Sequence, residues 1–95
     1  MKWNEPRPVD ESVWLDCEVW DGPRIVRCGR VMWTRANPTV YDVCITYESE
    51  NGLGLYCWPR FRVLSDAQDY VEKLMSMTST EARKIHGTQW PDVVL

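Results

Sequence analysis

The hydrophobic pattern of this 95-residue chain changes its period near residue 65. Before that point apolar and polar residues alternate, as they do in β-strands, and after it apolar residues recur every three or four positions, as in an amphipathic helix. Because all the strands precede the helix, the β-α-β alternation that builds a parallel sheet is missing. The order predicts an α+β fold: a bent antiparallel β-sheet of four to five strands, with closure into a small barrel left open, one main C-terminal helix and a short second helix.

Four segments carry the strand pattern, and turn residues separate them. We predict strands over 12–20, 24–35, 40–47 and 53–58, with 61–64 as a short fifth strand or a single helical turn. The turns fall at residues 21–23 and at Asn51-Gly52, which are typical turn sequences. Gly29 indicates a bulge or sharp bend in the second strand, because glycine weakens a regular strand. Pro59 is expected to interrupt the fourth.

The helical part begins with a capping-box sequence. Ser65 is the predicted N-cap of a helix over residues 66–77, and Gln68 would reach back to it. A second box, Thr78 with Glu81, opens the short second helix. The whole chain is predicted to be one domain: an extended arm (1–11), the antiparallel sheet (12–64), the helices (65–87) and a tail (88–95).

The four cysteines fall one in each predicted strand, at positions 17, 28, 44 and 57. They form no C-x-x-C pair, and His86 is the single histidine, so we expect neither a metal site nor a cofactor. The amino terminus lacks the apolar run of a signal peptide, which favours a cytoplasmic protein with reduced thiols. Free cysteine behaves as a small apolar residue, and we therefore predict buried thiols.

Catalytic patterns are missing from the sequence. A lone histidine gives no basis for a Ser-His-Asp or Cys-His arrangement. The five glycines form neither a G-x-G-x-x-G sequence nor a phosphate-binding loop. Asp16 and Glu18 could serve as an acid–base pair, but two carboxylates on one strand face are more typical of a solvated surface. We therefore predict no catalytic residues and a protein that is not an enzyme.

Tryptophan is the most informative residue type, with six copies against one phenylalanine. About half of them should fill the core, and Trp14 and Trp20 share a predicted strand face with Asp16 and Glu18. Tryptophan and arginine dominate the energetics of protein interfaces. We therefore predict a protein-binding surface composed of Trp14, Asp16, Glu18, Trp20, Asp21 and Glu11.

The expected partner is another protein, with a nucleic-acid-binding host protein as one candidate, because residues 1–21 carry a net charge of −4. The small, acidic, Trp-rich profile resembles that of phage-encoded inhibitors such as anti-CRISPR proteins, and this similarity implies a regulator that occludes a partner surface. No membrane partner is expected, and a homodimer is compatible with the sequence.

Residues 13–64 also resemble the small β-barrels of the Tudor and KOW families. The similarity rests on four segments of the sequence: Val19-Trp20-Asp21-Gly22, Gly29-Arg30-Val31, Tyr41-Asp42-Val43 and Arg62-Val63-Leu64. It implies a bent, barrel-like sheet, and members of these families include RNA-binding proteins.

Nucleic-acid binding is therefore the alternative function. All six cations of residues 22–64 are arginines, and this segment carries a net charge of +3. Arginines interleaved with aromatic residues can hold phosphates and stack on bases. The candidate residues for this function are Arg27, Arg30, Trp33 and Arg35. The net charge of −3 over the whole chain argues against it.

Overall fold

The computed structural model describes residues 2–36, 38–49, 52–78 and 81. The element bounds are β1 (Arg7–Val9), β2 (Ser12–Asp21), β3 (Arg24–Thr34), β4 (Tyr41–Ser49), β5 (Gly52–Phe61) and α1 (Leu64–Met75). The strands form one sheet in the order β1-β2-β3-β4-β5, and each strand is antiparallel to its neighbours. This confirms the predicted α+β class. The sheet is an open meander and does not close into a barrel.

The fifth strand lies at the amino end, inside the segment predicted to be an extended arm. Val9 pairs with Ser12, so β1 and β2 form a hairpin around a two-residue turn at Asp10 and Glu11. Asp10 has a φ of 55°, which aspartate tolerates better than most residues. The short strand also covers one end of the β2 edge, and Trp3 bridges to Cys17 further along it.

At the other end of the sheet, β5 continues through Pro59 to Phe61. The predicted interruption at Pro59 was therefore wrong for the strand itself, but the pairing with β4 shifts register between Trp58 and Phe61. β5 is the last strand in the sheet order, and a proline on an edge strand leaves no ladder bond unmade when its nitrogen faces away from the neighbour. Residues 61–64 form neither a separate strand nor a separate helical turn, since Phe61 ends β5 and Leu64 begins α1.

The predicted bulge or bend at Gly29 was also wrong, because β3 pairs regularly there. The irregularity lies where Val19 pairs with Arg27 and Trp20 pairs with Ile25, so the extra residue is Val26 of β3, three positions before Gly29. Gly29 is needed for close packing instead: a Cβ atom there would overlap Cγ1 of Val71 and lie 3.0 Å from Sγ of Cys17. The glycine thus lets α1 approach the sheet.

The N-terminal end of α1 also differs from the prediction. Val63, in an extended conformation, is the N-cap residue, and no side chain bonds the first turn. Ser65 lies inside the helix, so the predicted cap at Ser65 was wrong. The box at Thr78 is confirmed: Glu81 N–H donates to Thr78 Oγ1 at 3.2 Å, and Thr78 N–H donates to Glu81 Oε2 at 3.1 Å. The predicted second helix beyond Glu81 and the tail lie outside the described residues.

The core fills the space between α1 and one face of the sheet. Alternate strand residues point to this side, which explains the period of two in the sequence. The buried cluster consists of Cys17, Val31, Val43, Ile45, Phe61, Ala67, Val71, Leu74 and Met75. We call the opposite side of the sheet the outer face. None of the described helices has the length and apolar character needed to cross a membrane.

The cysteines follow the predicted pattern where their side chains are described. Cys17 and Cys44 are buried, whereas Cys28 is only half-buried. Cys17 belongs to the core cluster, whereas Cys28 and Cys44 occupy outer-face positions on β3 and β4. The side chain of Cys57 lies outside the described part of the chain.

Candidate functional site

The outer face carries a buried carboxylate held by two arginines. Arg30 donates from Nε to Asp16 Oδ1 at 2.7 Å and from Nη2 to Oδ2 at 3.2 Å. Arg7 adds a third hydrogen bond, from Nη2 to Oδ2 at 3.3 Å. Asp16 is only 6% exposed although it lies on the side away from α1. The hydrogen bond to Asp16 raises the pKa of Arg30, so the guanidinium keeps its positive charge.

The same two arginines hold Trp14. Cζ of Arg30 lies 3.9 Å from the centroid of the Trp14 ring, and Cζ of Arg7 lies 5.1 Å from it. Both distances are within the range of a cation–π interaction. Trp14 is half-buried, and its position is fixed by side chains from the strands on either side of it.

A second tryptophan lies further along β2, next to the bulge. The Trp20 side chain is 56% exposed, and its Nε1–H donates to Glu18 Oε2 at 3.1 Å. The other oxygen of Glu18 accepts a hydrogen bond from Asn4 Nδ2 at 3.1 Å. Ile25, the register partner of Trp20, is 41% exposed. The end of the β2–β3 hairpin therefore presents an exposed apolar pair.

The structure brings four of the six predicted protein-binding residues into one line along β2: Trp14, Asp16, Glu18 and Trp20. Asp21 follows at the hairpin end and is exposed. Glu11 lies at the opposite end of β2, about 30 Å from Asp21 at the usual rise per strand residue. It borders a recess of about 460 Å³ with Thr34, Arg35 and Ala36. Glu11 is thus separate from the other five.

The candidate nucleic-acid-binding residues do not share one surface. Trp33 lies on the α1 side, where its ring meets Tyr41 at a centroid distance of 5.4 Å. Arg27 is on the same side and donates from Nη1 to the carbonyl of Met75 at the end of α1. Arg30 is on the outer face, bonded to Asp16. Arg35 lies just after the end of β3 and is exposed.

Register also creates a line of side chains across the sheet that the sequence did not predict. Arg7 pairs with Trp14, Trp14 with Met32, and Met32 with Asp42. Arg60 completes the line, with Nε 3.1 Å from Asp42 Oδ1. We call Arg7, Trp14, Met32, Asp42 and Arg60 the outer row.

A recess of about 310 Å³ lies at one end of the outer row. Met32, Asp42 and Arg60 border it, together with Ser12, Thr34 and Thr39. Of the outer row, only Trp14 was predicted from the sequence as a site residue. The other four residues come to lie in line with it only through the pairing of the strands. The alternation in β3 and β4 could have placed Met32 and Asp42 on one face, but no sequence signal aligns them with Arg7 and Arg60.

The thiols of Cys17 and Cys28 do not have the properties of nucleophiles. Desolvation by burial raises the pKa of Cys17 to about 12, and burial also raises the pKa of Cys28. Both thiols therefore stay protonated at neutral pH, whereas a reactive cysteine needs a lowered pKa. Within the described part of the chain, no three histidine, cysteine or acidic side chains are grouped so that they could hold a metal ion.

Comparison with known proteins gives no relative: no protein-family model, curated protein or solved structure matches the chain. The geometry of the outer face is therefore the basis for the proposed function.

Proposed function

We propose that this protein is a non-enzymatic protein-binding module that acts as a small regulator or inhibitor by occluding a surface of its partner. The observation that carries the proposal is the fixed position of Trp14 on the outer face. It is stacked by Arg30 and Arg7, and both arginines are bonded to the buried Asp16. Tryptophan and arginine are the residue types most often found at the energetic centre of interfaces.

Immobilised side chains favour binding because their conformational entropy is already lost in the free protein. Binding costs about 0.5–1.5 kcal/mol of free energy for each flexible side chain that becomes ordered in the interface. Trp14 is held by two cation–π contacts, and Trp20 is held through its indole N–H by Glu18. Trp20 remains 56% exposed in spite of this bond. A partner would therefore meet two large aromatic groups that are already oriented.

The small size of the chain and its acidic, Trp-rich composition support the regulator part of the proposal. They also support, by similarity of profile, a phage-encoded antagonist of host defence of the anti-CRISPR kind, acting in the cytoplasm. The protonated thiols of Cys17 and Cys28 agree with a function that needs no nucleophile. A basic groove on the partner, suggested by the acidic β2 sequence, stays a prediction.

Nucleic-acid binding is the weaker alternative on the geometry. Of its four candidate residues, Arg27 bonds the end of α1 and Arg30 bonds Asp16. These two arginines lie on opposite faces of the sheet, so they cannot hold one strand of nucleic acid together. Because of the Tudor and KOW similarity, recovery of nucleic acid remains one of the outcomes that the capture experiment below must distinguish.

The proposal is tested by affinity capture from a lysate of the cells in which the protein acts. We expect the wild-type chain to retain one protein partner at a stoichiometric ratio. Trp20→Ala should weaken the complex at least about tenfold, as is typical of a hot-spot tryptophan. Its free energy of unfolding should change by less than about 1 kcal/mol, because the side chain is largely exposed.

Lys73→Ala is the matched control for capture. Lys73 is exposed on α1, away from the outer face, and its removal should leave the complex unchanged. Recovery of nucleic acid without a protein partner would contradict the proposal. So would equal loss of the partner with Lys73→Ala and Trp20→Ala, because the outer face would then have no special role.

A further inference from the structure

The charges on the outer row point to a particular kind of partner. We infer that the outer row is the docking surface for an acidic segment of the partner protein, one that carries an apolar side chain between carboxylates. This inference rests on the proposed function and adds the chemistry of the partner to it. It differs from the basic partner groove that the β2 sequence suggests.

The cations stand at the two ends of the outer row. Its residues occupy successive strands, which lie about 4.8 Å apart, so Arg7 and Arg60 are about 19 Å apart across the sheet. The Arg7 side chain is 55% exposed, and that of Arg60 is 42% exposed. Both side chains are therefore partly accessible to carboxylates from outside.

The carboxylates near the row are already engaged. Asp16 accepts three hydrogen bonds from Arg7 and Arg30 and is almost fully buried, so its charge is neutralised inside the protein. Asp42 faces Arg60. With three arginines and two aspartates, the row and the Asp16–Arg30 pair together carry a net positive charge.

Glu18 does not cancel the net positive charge of the outer row. It lies four residues beyond Trp14 on β2, or about 13 Å away along the strand. Asn4 and Trp20 each donate a hydrogen bond to one of its oxygens. The positive charge of the outer row thus faces solvent separately from the acidic hairpin end.

Arg60 provides a second, independent observation. Its Nε atom is buried and lacks a hydrogen-bond partner within the described part of the chain, although Asp42 Oδ1 lies 3.1 Å away. The two atoms are therefore close enough for a hydrogen bond, but the N–H group does not point toward the carboxylate oxygen. Buried donors are nearly always paired in native proteins, so Asp42 alone leaves this guanidinium incompletely satisfied. The exposed part of the Arg60 side chain is where a carboxylate of a partner could bind.

The centre of the row is apolar. Trp14 and Met32 are half-buried neighbours, and the recess of about 310 Å³ opens beside Met32. Methionine adapts its shape to a partner, and tryptophan offers a large contact area. An apolar core between charged ends is the usual composition of an interface. A partner segment with an apolar side chain against Trp14 and Met32 could place carboxylates toward Arg7 and Arg60.

A second copy of the chain fits this surface poorly, because two outer rows would bring arginines against arginines. The acidic segment satisfies the exposed cations and the apolar centre together. Self-association through this face and binding of a nucleic-acid strand are the other outcomes that the experiment separates.

The inference is tested with the full chain and three labelled probes: a short peptide of alternating Glu and Leu, its Lys–Leu counterpart, and an oligothymidine strand. Fluorescence anisotropy at low salt should show the Glu–Leu peptide binding most tightly. Arg60→Glu and Arg7→Glu should each weaken it about fivefold, as expected for charges at the rim of an interface. The milder Arg60→Gln and Arg7→Gln variants check that the loss follows the charge and not the fold.

Lys73→Glu changes the charge by the same amount on the α1 side and should leave the affinity within twofold. Tighter binding of the Lys–Leu peptide or of oligothymidine would overturn the inference. The absence of Glu–Leu binding up to millimolar concentration would do so as well, as would concentration-dependent dimers that Arg60→Glu dissociates.

The captured partner separates this inference from the proposed function. If the Arg7→Glu/Arg60→Glu double variant keeps the partner while Glu18→Lys loses it, the acidic-partner inference fails and the protein-binding function stands. If no protein is captured at all, the proposed function fails, whatever the peptides show. If the double variant loses the partner and Glu18→Lys retains it, the result supports both the acidic-partner inference and the protein-binding function.

Discussion

Arg30 stacks on Trp14, with its Cζ 3.9 Å from the ring centroid, and this one side chain joins the aromatic ring to the buried carboxylate of the outer face. The same guanidinium donates two hydrogen bonds to Asp16. Because Arg30 is on β3 and the other two residues are on β2, the contacts also tie the central strands together. The position of the aromatic group therefore depends on a buried charge.

Removing that charge should destabilise the protein. Asp16→Ala leaves Arg30, whose side chain is 24% exposed, without its carboxylate. We expect a loss of about 2–4 kcal/mol in the free energy of unfolding, because an unpaired charge remains partly buried. Urea denaturation followed by tryptophan fluorescence measures it. Glu5→Ala, at an exposed carboxylate, is the control, and an equally small change in both variants would show that the Asp16 cluster contributes no stability.

Gly29 should not tolerate even one added methyl group. Gly29→Ala would place its Cβ against Val71 and Cys17 in the core, and we expect a cost of about 1–3 kcal/mol from overpacking. Val71→Ala creates space at the same point, so adding it to Gly29→Ala should cost less than the sum of the two single changes. Thermal denaturation of the four proteins in the cycle gives the coupling.

Gly22→Ala is the comparison for this cycle. Nothing lies within 4 Å of a Cβ at Gly22, but its φ of 60° disfavours alanine. We expect a backbone cost of about 1 kcal/mol that Val71→Ala does not change. Additive effects at Gly29 would contradict the close packing of α1 on β3.

The strands and α1 could be predicted because their residues alternate according to burial. In β3 Gly29 and Val31 are buried on the α1 side and their neighbours are partly exposed, so period two is visible in the sequence. In β2 the hydrophobic alternation holds although Asp16 is buried as well, because arginines cover it on the outer face. β1 could not be predicted in the same way. It has three residues, one of them a proline, and only its pairing with β2 makes it a strand.

The candidate site could be predicted only in part, because its contacts depend on register. Alternation placed Trp14 and Asp16 on one face, and the structure agrees. Their partners come from other strands: Arg30 is opposite Asp16, and Arg7 is opposite Trp14. Which residues are opposite follows from the two-residue turn at Asp10 and from the bulge at Val26. Neither feature is specified by the hydrophobic pattern.

Two similar capping sequences should behave differently. Ser65 makes no capping hydrogen bond in α1, whereas Thr78 and Glu81 bond each other's backbone N–H groups. Thr78→Ala should therefore cost about 1 kcal/mol, and Ser65→Ala should change the unfolding free energy by less than about 0.5 kcal/mol. Chemical denaturation of both variants tests the contrast. A larger loss for Ser65→Ala would restore Ser65 as the N-cap.

The buried thiol of Cys17 should make stability fall at alkaline pH. Its pKa is about 12 in the folded protein and about 9 when the chain is unfolded. Between these values the unfolded chain releases the proton while the folded protein keeps it, so raising the pH favours unfolding. The contribution is complete below pH 9 and is lost above it at about 1.4 kcal/mol per pH unit.

Comparison with Cys17→Ala isolates this effect from the other groups that titrate at high pH. The difference in unfolding free energy between wild type and variant should be constant from pH 7 to 8. At pH 10 wild type should have lost about 1.4 kcal/mol relative to the variant. Urea titrations under reducing conditions measure it. A difference that stays constant up to pH 10 would contradict the prediction, because Cys17 would then have the same pKa in the folded protein as in the unfolded chain.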